Sequence, residues 1–113
     1  MIEIYGIKNC DSVKKAIAFL KKNDLEYRLH DFKTDAIGLE KIEQWLLKTT
    51  IKTLFNSRST TYRTLKLREL NLDETGQKEW LAKENLLIKR PVIEYNDELI
   101  VGFDEQLYTR SFL

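Results

Sequence analysis

The pattern of apolar and polar positions over the first 32 residues predicts a strand, a helix and a second strand. An apolar run covers residues 2–5, and a loop of four residues follows it. A helix is expected from residue 11 or 12 to residue 22, because apolar residues recur there at the i, i+3, i+4, i+7 spacing: Val13, Ala16, Ile17 and Leu20. Residues 27–32 alternate in polarity, as a half-buried strand does. A strand–helix–strand unit implies a parallel pair of strands.

The middle of the chain, roughly residues 34–87, has a helical pattern. A first helix is expected directly after Gly38, with Leu39, Ile42, Trp45 and Leu46 on one face. A second is expected near residues 62–70 and a third from Asp73 or Thr75 to Glu84, with Trp80 and Leu81 buried. Between the first two lies a polar loop at residues 55–60, and Thr60 or Thr61 is expected to cap the helix that follows it.

Strand patterns return near the C-terminal end. Two short apolar runs surround Asn96-Asp97, whose side chains tolerate positive φ, and this predicts a β-hairpin. A last short helix is expected from Asp104 onward. The resulting order predicts an α/β fold of one domain over residues 1–113. We expect a thioredoxin-like (glutaredoxin-like) mixed sheet with the helical insertion between its second and third strands.

Cys10 is the only cysteine of the chain, and the pattern places it at the mouth of the first helix. The backbone N–H groups and the dipole of a helix N-terminus favour an anion, so a thiol there has a lowered pKa and is nucleophilic as the thiolate. A lone cysteine is more often a buried, inert apolar residue. However, Cys10 lies outside the apolar stripe of the helix, next to Asn9 and Asp11, where no packing pattern requires it.

Basic residues in the loops extend the hypothesis of a reactive thiol. Arg58 and Arg90 lie in two different loops, both topologically able to reach the start of the first helix, and guanidinium groups bind oxyanions in a bidentate manner. For a single arginine the usual interpretation is a solvated surface residue. We also assign Lys8 and Asn9, in the loop before the cysteine, and Pro91 to a substrate- or anion-binding site. In a thioredoxin-like layout, the proline before the third strand faces the cysteine loop.

The composition excludes several other classes of function. The 113 residues carry a net charge of +1, which favours neither a nucleic acid nor a membrane surface as a partner. A structural zinc site needs about four Cys or His ligands, and the chain offers only Cys10 and His30, so no metal site is expected. A single cysteine cannot form an internal disulfide, and no signal pattern opens the chain. We therefore expect a cytoplasmic, monomeric protein without a bound cofactor.

Four motifs in order along the chain resemble those of the arsenate reductase/Spx (ArsC-like) family, and within it the YffB-like branch. The motifs lie at residues 5–16, 55–63, 87–92 and 101–103, so the resemblance covers essentially the whole chain. It implies a thioredoxin-like sheet with a helical insertion. It also implies that Cys10 is the nucleophile, that Arg58 and Arg90 bind the oxyanion, and that Pro91 is the family's cis-proline.

The resemblance further implies a thiol oxidoreductase with glutathione as co-substrate, glutaredoxin as a partner, and a small oxyanion or a disulfide as substrate. Arsenate reductases have a third oxyanion-binding arginine shortly after the hairpin, where this chain has Val101-Gly102-Phe103, so arsenate is not the expected natural substrate. One alternative is an Spx-like transcriptional regulator that binds RNA polymerase. Its redox-sensing members use a Cys-x-x-Cys motif, and this chain has Val13 in place of the second cysteine. The other alternative is a catalytically silent thioredoxin-like module.

Overall fold

A computed structural model describes all residues, Met1–Leu113, and divides into two compact units. The first unit comprises residues 1–34 and 90–113, and the second comprises residues 35–89. None of the helices is both long enough and apolar enough to cross a membrane. The organisation of the chain as one domain over residues 1–113 stays a prediction.

The first unit contains all four strands and two amphipathic helices. Its elements are β1 (Ile2–Gly6), α1 (Asp11–Lys22), β2 (Tyr27–Asp31), β3 (Val92–Tyr95), β4 (Glu98–Val101) and α6 (Glu105–Phe112). The second unit is entirely helical. Its elements are α2 (Leu39–Trp45), α3 (Ile51–Leu54), α4 (Thr60–Thr64) and α5 (Glu74–Lys83), with 3-10 turns at Leu67–Leu70 and Asn85–Leu87.

The sheet is mixed, with the strand order β2-β1-β3-β4. β1 lies in the middle, parallel to β2 and antiparallel to β3, while β3 and β4 form the predicted hairpin. Asn96 and Asp97 at the hairpin turn have φ of 49° and 61°, as a two-residue turn with positive φ at both central positions requires. These observations confirm a thioredoxin-like α/β fold with the helical segment between the second and third strands.

One face of the sheet packs against α1 and α6 to form the core of the first unit. The predicted stripe of α1 provides much of this core, since Ala16 and Leu20 are completely buried in it. The other buried members are Ile2, Ile4, Phe19, Ile93, Ile100 and Tyr108. Successive side chains of β1 point to opposite faces of the sheet, so Ile2 and Ile4 lie on this face together. Their burial fixes the orientation of β1, and with it the direction in which the chain enters the loop before α1.

The second unit is held together by apolar contacts of its short helices and by one buried amide. α2 packs against α5, and Trp45 and Leu81 are almost completely buried. Asn85 accepts a hydrogen bond from the N–H of Ile37 at 2.8 Å, and its amide nitrogen donates to the carbonyls of Ile37 at 3.1 Å and Leu81 at 2.9 Å. These three bonds satisfy the buried side chain and join the beginning of the unit to its end.

Four details of the helical segment differ from the sequence prediction. The helix expected near residues 62–70 is interrupted, because Lys66 adopts a left-handed conformation with φ of 54° between α4 and the following 3-10 turn. The cap of α4 is Ser59, not Thr60 or Thr61. Trp80 is only half-buried. α3 was not predicted, since four residues are too few to show a helical period, and its only sequence signal is the capping residue Thr50.

Candidate functional site

The turn between β1 and α1 positions the thiol of Cys10. β1 ends at Gly6, three loop residues follow, and Cys10 occupies the N-cap position of α1 in an extended conformation (φ −139°, ψ 125°). Its carbonyl accepts the first helical hydrogen bond, from the N–H of Lys14 at 2.9 Å. The helix begins at Asp11, one of the two starts that the sequence predicts. No side chain caps this terminus, so the N–H groups of the first turn remain available to the thiol.

The surroundings of Cys10 lower the pKa of its thiol. Partial burial raises the pKa, but hydrogen bonding by the N–H of Val13, the hydrogen bond and positive charge of Arg90, and the N–H of Ser12 together outweigh it. These groups surround a half-buried sulfur that still reaches solvent. Such a thiol is more easily ionised than an ordinary one, and it remains accessible enough to attack a substrate.

Arg90 is held beside the thiol by the segment that leads into β3. The Arg90–Pro91 peptide bond is cis, and Pro91 is buried. The carbonyl of Pro91 accepts a hydrogen bond from the N–H of Gly102 at 2.7 Å, and the carbonyl of Gly102 accepts one from the hydroxyl of Tyr108 at 2.8 Å. Burial, and secondarily the charge of Asp104, raises the pKa of Tyr108, so its hydroxyl keeps the proton that it donates.

Gly6 allows β1 to end close to the first turn of α1. A Cβ atom at this position would lie 2.7 Å from Cγ2 of Val13 and 3.8 Å from Cβ of Arg90. The first distance is shorter than any van der Waals contact, and Val13 is completely buried and cannot move aside easily. A side chain at position 6 would therefore displace the turn whose N–H groups lower the pKa of Cys10.

The structure brings together some of the predicted site residues and not others. Cys10, Arg90 and Pro91 lie in the first unit, and Lys8 and Asn9 are exposed in the loop directly before the cysteine. Arg58 is exposed and belongs to the second unit, so its role at the thiol stays a prediction. The sequence analysis missed Gly102 and the hydroxyl of Tyr108, because their hydrogen bonds join residues whose pairing no periodicity reveals.

Comparisons with known proteins agree with the predicted family. The family model described as "ArsC family" matches residues 5–111. An uncharacterized protein of Haemophilus influenzae is 41% identical over 113 residues, covering 99% of each chain. The Spx global transcriptional regulator of Lactiplantibacillus plantarum is 28% identical over 109 residues, covering 93% of this chain and 81% of the regulator.

A solved structure supports the same assignment. The structure of the YffB protein is 32% identical in sequence, covers 100% of both chains and superposes with a TM-score of 0.92. The chain belongs to the ArsC family.

Proposed function

We propose that this protein is a thiol oxidoreductase in which the thiolate of Cys10 is the nucleophile and an external thiol, glutathione, completes the reaction. One observation carries the proposal: N–H groups of the first turn of α1, together with Arg90, lower the pKa of a half-buried cysteine that still reaches solvent. Structural cysteines lack these groups and are inert, whereas catalytic thiols have them. Family membership gives independent support.

The reaction proceeds in two exchange steps when the substrate is a mixed disulfide with glutathione. The Cys10 thiolate attacks the glutathione sulfur, the substrate's sulfur–sulfur bond breaks, and the substrate leaves as a thiolate that takes up a proton. A second glutathione thiolate then attacks the Cys10–glutathione disulfide, which releases Cys10 and forms oxidised glutathione. In total, the mixed disulfide and one free glutathione become the free substrate thiol and oxidised glutathione, and Cys10 is regenerated. Since Cys10 is the only cysteine, this second thiol comes from another molecule.

The basic residues near Cys10 have two roles in this proposal. Arg90 stabilises the thiolate before attack and again as the leaving group of the second step. Lys8, Asn9, Pro91 and Arg58 bind and shape the anionic glutathione or an oxyanion substrate. Glutathione carries two carboxylates, so the guanidinium groups retain a function without arsenate. Glutaredoxin is a second source of the resolving thiol.

A regulator that contacts RNA polymerase is the second candidate function. The likeness to the Spx regulator of L. plantarum favours it. In this candidate the contact would not depend on an internal disulfide switch, because position 13 is a completely buried valine. The redox chemistry of Cys10 therefore separates the two candidates.

The pH dependence of alkylation tests the proposal. Iodoacetamide should modify Cys10 with a midpoint below the ordinary cysteine pKa of about 8.5. Arg90→Ala should raise this midpoint, because it removes a hydrogen bond and a positive charge from the thiolate. The matched control, Arg110→Ala on the exposed end of α6, should not change it. Oxidised glutathione should add one glutathione to the wild type and none to Cys10→Ser, as measured by intact mass.

The opposite result is equally clear. A wild-type midpoint at or above the ordinary value, with no glutathione adduct, would contradict the enzyme proposal. Binding of purified RNA polymerase by both the wild type and Cys10→Ser would then favour the regulator.

A further inference from the structure

A groove on the second unit is lined mainly by basic residues. It has a volume of about 680 Å³, and its walls come from residues 57–69, on both sides of the break between α4 and the following 3-10 turn. We name it the basic groove. Its principal lining residues are Arg58, Tyr62, Arg63, Lys66, Arg68 and Glu69.

The charge of the basic groove is uncompensated. Four cations face one carboxylate, that of Glu69, which gives a net charge of +3 in a chain whose total is +1. The rest of the molecule therefore carries a net charge of −2. The four cationic side chains form no ion pair with any carboxylate of this chain. Like charges held this close repel one another, and an anionic partner would remove that cost.

The basic groove also has an apolar component. Tyr62 is half-buried in its wall, with its ring edge-on to Phe55 at a centroid distance of 5.8 Å. Two leucines next to lining residues in the sequence are unusually exposed, Leu65 at 41% and Leu70 at 54%. Arg63 is oriented by hydrogen bonds to the carbonyl of Arg58 at 3.2 Å and to Oγ1 of Thr60 at 3.5 Å. The surface thus combines positive charge with an aromatic wall and exposed aliphatic side chains.

We propose that the basic groove docks an acidic segment of a partner protein, with an apolar side chain of that segment against Tyr62. Glutamate or aspartate side chains pair with the four cations, and the apolar side chain covers apolar surface that is now in water. A nucleic acid fits less well, because its phosphates continue beyond the groove and the rest of the chain, with a net charge of −2, offers them no excess of cations. A free phosphate would leave the aromatic wall and the leucines uncovered.

Fluorescence anisotropy with designed peptides tests the proposal on the full-length protein. The probe is a short fluorescein-labelled peptide in which pairs of glutamates alternate with single leucines. The charge reversals Lys66→Glu and Arg68→Glu, combined, should weaken its binding at least about tenfold, and added salt should weaken binding to the wild type. The matched control is Arg110→Glu, an exposed arginine on α6 outside the basic groove, and it should bind as the wild type does. Circular dichroism checks that each variant is folded.

Three results would overturn the proposal. The first is equal binding of a peptide whose leucines are replaced by serine, since the apolar wall would then have no role. The second is equal weakening by Arg110→Glu, and the third is displacement of the peptide by duplex DNA or pyrophosphate at lower concentration than by unlabelled peptide. Lys66 and Arg68 have no assigned part in the thiol chemistry, so glutathione addition to Cys10 should be unchanged in the double variant. The two proposals can therefore fail separately, and the two measurements show which one has failed.

Discussion

The two units present their functional groups in opposite ways. In the first unit, a twelve-residue helix and a central strand fix backbone N–H groups around one sulfur. In the second, helices of four to ten residues carry exposed basic side chains around an open groove. Backbone groups in regular structure suit chemistry at one atom, because their positions do not change. Long side chains on short helices suit binding to an extended surface, because they adapt to it.

The start of α1 differs from most helix starts in the chain. Four side chains accept a hydrogen bond from a backbone N–H of the helix that they begin: Thr50, Ser59, Asp73 and Asp104. α2 begins at Gly38, which has no side chain to do so. α1 begins at Cys10, whose side chain makes no such cap. A good cap stabilises a helix by about 1 kcal/mol. The first unit therefore gives up some helix stability at the one terminus where a thiolate uses the N–H groups.

The largest effects on stability are expected when one buried side chain is truncated in each unit. Leu81→Ala and Ile93→Ala should each lower the free energy of unfolding by about 2–5 kcal/mol, because both side chains are completely buried. Only Ile93→Ala should change the pH midpoint of Cys10 alkylation, since every group that lowers this pKa lies in the first unit. Chemical denaturation and alkylation rates measure the two quantities. A shifted midpoint in Leu81→Ala would show that the second unit also controls the thiol.

A smaller effect is expected where β1 approaches α1. Gly6→Ala should destabilise the protein by about 1–3 kcal/mol, because the new Cβ would lie 2.7 Å from Val13. It should also raise the alkylation midpoint by displacing the first turn. Gly38→Ala is the control for the added atom, since a Cβ there has nothing within 4 Å. It should leave the alkylation midpoint unchanged and destabilise the protein by at most about 1 kcal/mol, because Gly38 is the N-cap of α2, where glycine is preferred to alanine. An unchanged alkylation midpoint in Gly6→Ala would show that the turn tolerates the extra atom.

The smallest effects should have opposite signs at two helix starts. At pH 5, Cys10→Ser should stabilise the protein by about 0.5–1 kcal/mol by capping α1, and Ser59→Ala should destabilise it by about 1 kcal/mol. The advantage of Cys10→Ser should shrink as pH rises. The thiol has a lower pKa in the folded protein than in the unfolded chain. Its ionisation therefore begins to stabilise the wild type as pH rises above the folded pKa, and the stabilisation is complete above the unfolded pKa. Thermal melts at several pH values measure this, and destabilisation by Cys10→Ser at pH 5 would contradict it.

Periodicity allowed most of the first unit to be predicted from the sequence. The stripe of α1, the polarity pattern of β2 and the Asn96-Asp97 turn are local sequence patterns, and the structure contains the helix, the strand and the turn that they predict. In the second unit, α3 and the break at Lys66 were not predicted, because elements of about one turn have no period to detect. Their boundaries depend on single capping residues and on one residue in the left-handed conformation. Many other positions in the sequence carry residues that are equally suited to these roles.

The candidate site was predicted in part for a similar reason. The position of Cys10 at the helix start and of Arg90 before Pro91 follow from local sequence, and both lie where expected. The groups supplied by Ser12 and Val13 are backbone N–H groups, which every residue except proline carries, so the sequence cannot mark them. The contact of Gly6 with Val13 depends on how β1 and α1 pack, which only the structure gives.

The hydrogen bonds that join Tyr108 to Gly102 and Gly102 to Pro91 affect when the surroundings of Cys10 are completed during synthesis of the chain. Cys10 is made eighty residues before Arg90, and Tyr108 follows later still. On the ribosome, the nascent cysteine therefore has neither its guanidinium neighbour nor the strand that carries it. It therefore lacks the hydrogen bond and the positive charge by which Arg90 lowers the pKa of the thiol. That part of the pKa shift is in place only when residues near the far end of the chain have folded onto the beginning.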